Sequence, residues 1–255
     1  MAQALQSIEK IKYVQEVPPL TDTHCHLDLF QNAAAVVNDA FSHGVRTIIT
    51  SGGSAKGNEA TSKIVKILSV FGVVGIDPAS SGAESEYIDS YVAMIKSNPR
   101  LVGIGEIGLD SHVEEKNPPE VQKSAFIRQI RIANELGVPV VIHSRGRMAD
   151  VIKVTDEHKP EKAMFHFFEG DVEQARYLAG KGHMISIPPR YSSRMKRIIN
   201  EIDLSSMVAE TDAPVAGKTP SDIREVVEAI SSIKKLEFGN VAEALSENAK
   251  VFFHI

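Results

Sequence analysis

The sequence predicts one closed barrel of eight parallel strands alternating with helices, a (β/α)8 or TIM barrel. First, segments rich in β-branched residues alternate with segments of helical spacing, in units of about 30 residues each. Second, the chain has 255 residues, which is the usual size of such a barrel. Third, candidate ligands follow the first, fourth, fifth, sixth and eighth strands, and a closed sheet brings its first and last strands together.

The predicted strands are short runs in which β-branched and other apolar residues dominate, as in the segment 46–51, Arg-Thr-Ile-Ile-Thr-Ser. Such runs are typical of parallel strands that are buried on both faces. The eight predicted strands are residues 21–26, 46–51, 71–77, 101–107, 138–144, 162–167, 183–187 and 206–211.

Helical spacing is clearest in segment 118–136, where apolar residues recur every three to five positions. Helix starts are predicted at Pro118, Asp171 and Ser221, and helix ends at Gly44, Gly137 and Gly182. The predicted helices are residues 32–43, 58–69, 84–97, 118–136, 147–158, 171–181, 191–202, 221–234 and 240–252.

A doubly wound open sheet has the same alternation and is the alternative fold. No Gly-x-Gly-x-x-Gly turn follows the first predicted strand, which disfavours the dinucleotide-binding form of that fold. No linker-like or low-complexity segment divides the chain. We therefore expect a single barrel domain over residues 21–255, preceded by an N-terminal extension, residues 1–20, to which the sequence assigns no function.

Composition favours a cytoplasmic protein. The single cysteine, Cys25, excludes an internal disulfide, and no run approaches the roughly 18 apolar residues of a membrane span. Residues 1–20 lack the pattern of a signal peptide. The formal net charge of −5 gives no general attraction to nucleic acid, although bound cations and a few arginines can supply positive charge locally.

His24 and His26 stand at the end of the first predicted strand. Because side chains alternate across a strand, both histidines are expected to point into the barrel mouth, with Cys25 directed outward as a small buried residue. The same alternation places Asp22 below the histidines and Asp28 above them. In a barrel of this kind, the carboxyl ends of the strands form the catalytic face.

Four further candidate ligands end later predicted strands. His24, His26 and Asp212 form one expected ligand set, and His143 and His166 form a second, with the Glu106 carboxylate between them. These side chains suit Zn²⁺, Mn²⁺ or Mg²⁺. Two ions roughly 3.5–4 Å apart can activate a water for hydrolysis. The candidate metal ligands are His24, His26, Glu106, His143, His166 and Asp212.

Other residues are expected to act beside the metal ligands or to lie apart from them. Arg145 shares a face with His143, so it is expected either to bind a phosphate or carboxylate or to form a structural ion pair. Arg190 is a second candidate for binding an anion.

Glu210 is expected to support a ligand from deeper in the barrel, and Asp212 to accept the proton of the attacking water. His112 is a candidate for the barrel mouth. Ordinary core or surface positions are expected for His43, His158, His183 and His254.

Four motifs resemble those of the TatD family of metal-dependent deoxyribonucleases, within the amidohydrolase-like superfamily. The resemblance covers the chain from residue 20 to its end. It implies a barrel, the six metal ligands named above, and nuclease activity, since several members are 3′–5′ exonucleases. Glu106 takes the place of a carboxylated lysine in many relatives. The motifs are Asp22-Thr-His24-Cys-His26-Leu-Asp28, Gly105-Glu106-Ile-Gly108-Leu-Asp110, Pro139-Val-Val-Ile-His143-Ser-Arg145 and Glu210-Thr-Asp212-Ala-Pro214.

The chain departs from this family near the sixth strand. His166-Phe-Phe-Glu-Gly170 replaces the usual His-Cys-Phe-Ser-Gly, so Glu169 either repels a phosphate backbone or faces solvent. The chain has no tryptophan, so few aromatic platforms for nucleobases are expected.

The leading functional hypothesis is a divalent-metal-dependent deoxyribonuclease, in which Glu106, Asp212 and Arg145 act with two metal ions and an activated water. A site of this kind can also hydrolyse an ester, amide, lactone or aminoacyl ester, because a carbonyl is polarised as readily as a phosphoryl group. A third hypothesis is a non-catalytic, metal-binding scaffold.

Overall fold

The computed structural model describes residues 18–255, and residues 1–17 of the predicted extension lie outside the described residues. Eight parallel strands form one sheet in sequence order. Their bounds are β1 Leu20–Cys25, β2 Val45–Ser51, β3 Phe71–Val74, β4 Leu101–Asp110, β5 Val140–Arg145, β6 Ala163–Phe165, β7 Met184–Ile187 and β8 Met207–Ala209.

The first strand and the end of the last are joined, so the sheet closes on itself. The amide of His26 donates to the carbonyl of Ala213 at 2.7 Å, and the amide of Asp212 donates to the carbonyl of His24 at 2.9 Å. An open sheet would hold these strands apart, so the predicted barrel is confirmed and the open-sheet alternative is wrong.

Helices surround the sheet. Asp171 caps the helix Val172–Gly180 through a capping box with Gln174, and Gly137 ends the helix Pro119–Leu136 in the left-handed conformation that glycine adopts without strain. No helix in residues 18–255 is both long and apolar enough to cross a bilayer. The α-helices are α1 Ala33–Ser42, α2 Ala55–Ile67, α3 Ser81–Glu84, α4 Ser90–Ser97, α5 Pro119–Leu136, α6 Met148–His158, α7 Val172–Gly180, α8 Ser193–Glu201, α9 Ile223–Lys234 and α10 Phe238–Phe253.

Two of the predicted segments need correction. Residues 84–97 do not form one helix; at the interruption the Ser90 hydroxyl donates to the carbonyl of Tyr87, a local bond of the kind that competes with helical pairing. The segment divides into the end of α3, a 3-10 turn and α4. The helix predicted from residue 221 begins at Ile223, after a 3-10 turn at Pro220–Asp222.

Strand lengths also differ from the prediction at the site. Strand β4 continues to Asp110, so Glu106 lies within a strand and not at its end. Strands β6 and β8 end at Phe165 and Ala209, so His166 and Asp212 lie on the segments that follow them. The amide of His166 still donates to the carbonyl of Ile142 on β5 at 3.0 Å, which holds the segment at the barrel mouth.

The inside of the barrel is apolar below the site. Alternate strand residues, such as Val141 and Met164, pack there against Phe252 and Phe253 at the end of α10. Phe71 and Met184, the first residues of β3 and β7, border the same cluster. Helix α10 therefore closes the amino-terminal end of the barrel, and the carboxyl end remains available for a site.

Candidate metal centre

The six side chains predicted as ligands converge at the carboxyl end of the barrel. His26, Glu106, His143, His166 and Asp212 line a cavity of about 530 Å³, and His24 lies buried beneath them. The side chains come from β1, β4 and β5 and from the segments after β1, β6 and β8. Closure of the sheet is what brings the first and last of these elements into contact.

His24, His26 and Asp212 form the first group. The Nε2 atoms of the two histidines are 3.3 Å apart. Asp212 Oδ1 lies 3.3 Å from His26 Nε2 and 3.7 Å from His24 Nε2. Cys25, between the histidines, is directed outward and fully buried, as side-chain alternation predicts. Two imidazoles and a carboxylate are a common ligand set for a divalent cation.

The second group contains His143, His166 and Glu106. Oε1 of Glu106 lies 2.7 Å from both His143 Nδ1 and His166 Nε2. Oε2 of the same carboxylate lies 3.7 Å from His24 Nε2 and 3.8 Å from His26 Nε2. Glu106 therefore presents one oxygen to each group and is placed between them.

Hydrogen-bond partners outside the cluster determine which ring nitrogen of His26 and of His143 faces the other candidate ligands. His26 Nδ1 is 3.1 Å from the carbonyl of Ser51, and His143 Nε2 is 3.1 Å from Asp110 Oδ2. Such contacts orient ligand histidines and select their tautomers. Sequence reasoning assigned no role to Asp110, although it is four residues after Glu106 on β4, where alternation places both on one face.

Glu210 supports the second group from below, the role predicted for it. This carboxylate is fully buried, and its Oε1 lies 3.4 Å from His166 Nδ1. The same oxygen accepts the amide hydrogen of Phe167 at 2.6 Å, and Oε2 accepts the hydroxyl hydrogen of Ser186 at 2.5 Å. Glu210 thus links the ends of β6, β7 and β8 behind the histidines.

Asp22 has a structural position below the site. Its Oδ2 accepts the Thr211 hydroxyl at 2.6 Å, and its Oδ1 accepts the Thr211 amide at 2.9 Å. These bonds join β1 to the segment after β8 directly below His24 and Asp212. Burial raises the pKa of Asp22 to about 8.

The charges of the cluster balance one another in the protein without metal. Although burial opposes ionisation, the His166 charge and the hydrogen bonds of both histidines hold the pKa of Glu106 well below its ordinary value. Burial also disfavours charged His143, but its bonds to Asp110 and Glu106 raise its pKa to about 9. Similarly, Asp212 and Glu106 raise the pKa of His26 to about 9 against the effect of burial. Protons on these histidines therefore compensate the buried carboxylates.

The environment of the Asp212 carboxylate also indicates that the donor set fits divalent metal ions. Asp212 Oδ1 is buried, and its one close polar contact in the part of the chain that the structure describes is His26 Nε2 at 3.3 Å, without the geometry of a hydrogen bond. A buried carboxylate oxygen without a well-formed hydrogen bond is costly, and a cation in the first group would satisfy it. The predicted ligand roles of the six residues are compatible with this geometry and are carried forward below as part of our proposal.

Metal affinity is expected to increase with pH. With pKa values of about 9, His26 and His143 hold protons at pH 7, and a metal ion must displace them. Each displaced proton changes the affinity about tenfold per pH unit below pH 9. Titration of the metal-free protein with Zn²⁺ or Mn²⁺ at pH 6, 7 and 8 should show tightening affinity, with protons released into weakly buffered solution. Affinity independent of pH, without proton release, would contradict this expectation.

Around the cluster, the cavity wall combines two arginines with several carboxylates. Arg145 lies at the end of β5 and Arg190 follows β7, and both line the cavity. Within residues 18–255, Arg145 forms no ion pair, so the structural salt bridge considered for it is not observed. Asp28 and Glu169 also line the cavity.

Asp77 is a cavity residue that sequence reasoning missed. It follows β3 and lines the cavity, and its Oδ1 accepts the Ser80 amide at 2.7 Å. Burial, together with the nearby charge of Glu106, raises its pKa to about 6. Its position just after a barrel strand, like the positions of His166 and Asp212, was the available signal.

The other histidines lie apart from the centre. His112, considered as a candidate for the mouth, has a largely exposed side chain beside Asp110 and does not line the cavity. The remaining four also lie outside the cavity, as expected: His43, His158, His183 and His254.

Comparisons with known proteins agree with the fold. An uncharacterized metal-dependent hydrolase of Methanocaldococcus jannaschii is 29% identical over 255 residues, covering 95% of this chain and 97% of that protein. The deoxyribonuclease TATDN3 of Homo sapiens is 28% identical over 258 residues, covering 92% and 94%. The crystal structure of a TatD homolog from Escherichia coli superposes with a TM-score of 0.84 at 23% identity, covering 92% of this chain and 98% of that one.

The family itself is established by its profile. The profile described as TatD related DNase matches residues 21–254, nearly the whole described chain. The resemblance inferred from the four motifs is therefore confirmed, and with it the prediction of a metal-dependent hydrolase. The chain belongs to the TatD-related DNase family.

Proposed function

We propose that this protein hydrolyses phosphodiester bonds in DNA with two divalent metal ions and an activated water. The observation that carries the proposal is the position of Glu106, whose two carboxylate oxygens face two separate groups of histidine ligands. A carboxylate between two ligand groups can be shared by two ions, and paired ions can activate a water for hydrolysis.

Each ion would have its own ligands. His24, His26 and Asp212 would hold the first ion, and His143 and His166 the second, with Glu106 shared. Nitrogen and oxygen donors suit Zn²⁺ or Mn²⁺, and Mg²⁺ is compatible with the carboxylates. Ions bound there would polarise the phosphoryl oxygen and lower the pKa of the attacking water.

The chain's own side chains complete the reaction. Asp212 lines the cavity beside the first group, so this carboxylate can take the proton of the attacking water. Arg145 is exposed at the end of β5 in the same wall. Its planar guanidinium can donate two parallel hydrogen bonds to the phosphate and hold it against the centre.

Charge explains why a nucleic-acid substrate would need the metals. Asp28, Asp77 and Glu169 add negative charge to the cavity wall, and the whole chain carries a net charge of −5. A phosphodiester would be repelled unless bound cations reversed the local field.

DNA is favoured over other esters because the family is described as DNases and a relative is named a deoxyribonuclease. The same descriptions give the scaffold hypothesis no support. Cytoplasmic location stays a prediction.

The first experiment measures metal content and hydrolysis of single- and double-stranded DNA on the same preparation. The wild type is compared with His24→Ala/His26→Ala. We expect about two ions per chain and DNA cleavage in the wild type, with at least a roughly 100-fold loss in the double variant. His43→Ala/His158→Ala, which removes two histidines outside the cavity, should retain both properties.

Two outcomes would change the proposal. If the metal-loaded wild type leaves DNA intact with Mg²⁺, Mn²⁺ and Zn²⁺, the phosphodiesterase assignment is wrong. If that protein instead hydrolyses an aminoacyl ester or a lactone, the centre would act on a carbonyl. Cleavage of end-labelled strands then distinguishes exonuclease from endonuclease action.

A further inference from the structure

One wall of the cavity carries an aromatic ring paired with a guanidinium group. Phe167 follows β6 and Arg190 follows β7, and both line the cavity. The guanidinium carbon of Arg190 lies 5.1 Å from the centroid of the Phe167 ring, within the range of a cation–π contact. The sequence, which lacks tryptophan, had suggested that such platforms are scarce.

The backbone of Phe167 is held in an uncommon conformation. Its φ angle is 45°, in the left-handed region that bulky residues rarely adopt and that concentrates at functional sites. The buried carboxylate of Glu210 accepts the amide hydrogen of Phe167 at 2.6 Å and also bonds to Ser186 on β7. One buried group thus joins the backbone at Phe167 to β7, the strand that leads to Arg190.

Arg190 is free to act on a ligand. It follows Pro188 and Pro189, and its amide donates to the carbonyl of Pro188 at 2.7 Å, a local turn at the barrel mouth. Its guanidinium forms no ion pair with a carboxylate in residues 18–255. The Phe167 ring therefore backs a flat, unneutralised cationic group. Flat guanidinium and aromatic groups are the surfaces on which unpaired nucleobases stack.

We propose that Phe167 and Arg190 form a subsite for the unpaired nucleobase of the nucleotide whose phosphate lies at the metal centre. This inference rests on the proposed function and specifies its substrate as a single-stranded end or segment. Phe167 directly follows the candidate ligand His166, and the two ring centroids are 6.1 Å apart, so base and phosphate subsites adjoin. A base held in a duplex would have to leave its stack to reach this wall.

Calorimetric binding to the metal-loaded protein tests the subsite without relying on turnover. The two probes are thymidine 5′-monophosphate and 2-deoxyribose 5-phosphate, which has a hydroxyl group in place of the base. We expect the wild type to bind the nucleotide roughly 5- to 150-fold more tightly, as stacking of one base implies. In Arg190→Ala and Phe167→Ala the ratio of the two affinities, nucleotide to sugar phosphate, should fall towards one. Phe167→Leu, which keeps apolar bulk, should lose most of the preference while remaining folded.

Arg194→Ala is the matched control, because Arg194 lies on α8 and outside the cavity, and its ratio should equal that of the wild type. Equal weakening of both probes in Arg190→Ala would identify Arg190 as a phosphate ligand and overturn the base subsite. So would an unchanged ratio in the folded Phe167→Leu variant, or a wild-type ratio near one. Base preference in a protein that cleaves no DNA would instead overturn the proposed function and leave the subsite standing.

Discussion

Replacement of Glu106 by glutamine is expected to reduce DNA hydrolysis by more than roughly 100-fold, since even substitutions behind metal ligands cost 10- to 100-fold. Glu106 Oε1 lies 2.7 Å from two histidine nitrogens, and Oε2 faces the other pair. Glutamine has the same shape but offers one neutral oxygen, so it cannot serve both groups as an anion. Metal content by atomic absorption should fall below two ions per chain, and kcat should fall with it.

Glu169→Gln is the matched control. Glu169 lines the same cavity and forms no ion pair with the described histidines, so metal content should be unchanged. Circular dichroism and thermal unfolding verify that both variants fold. A folded Glu106→Gln protein with two bound ions and wild-type kcat would contradict the bridging role.

Replacement of Phe252 by alanine is expected to lower the free energy of unfolding by about 3–5 kcal/mol, the usual cost of emptying a buried phenylalanine site. Phe252 is 1% exposed and packs with Phe253 against interior strand residues such as Val141 and Met164. A cavity there would remove contacts from the closed end of the barrel. Urea unfolding, followed by circular dichroism on metal-free protein, measures the change.

The neighbouring residue supplies the control. Val251 lies on the same turn of α10 but is 57% exposed, so Val251→Ala should alter stability by less than about 0.5 kcal/mol. Metal binding by Phe252→Ala under native conditions should remain, because the cluster lies at the other end of the barrel. Equal small effects of the two substitutions would mean that α10 does not close the barrel.

The fold and the convergence of the six candidate ligands were accessible from the sequence because both depend on local periodicity. Alternation along β1 places His24 and His26 on one face and Cys25 on the other, and no distant residue is needed to infer it. The same local rule predicted that Glu210 lies deeper than Asp212. Membership of the TatD-related DNase family follows from motifs that are themselves short stretches of strand and loop.

Strand ends were predicted less well than strand positions. Strands β6 and β8 are shorter than their apolar runs suggest, and β4 is longer. Pairing with neighbours determines where a parallel strand ends, and the partners of β8 lie as far away as β1. The sequence pattern of a single segment contains no information about such partners.

The sequence by itself determined the barrel, the face on which the site lies and the six side chains that gather there. Only the tertiary structure decided that Glu106 contacts both histidine groups, that Asp110 orients His143, and that Phe167 supports Arg190. The physical reason is that periodicity specifies the direction of each side chain from its own strand. Distances between side chains on different strands depend on barrel closure, register and rotamers, which are properties of the folded chain as a whole.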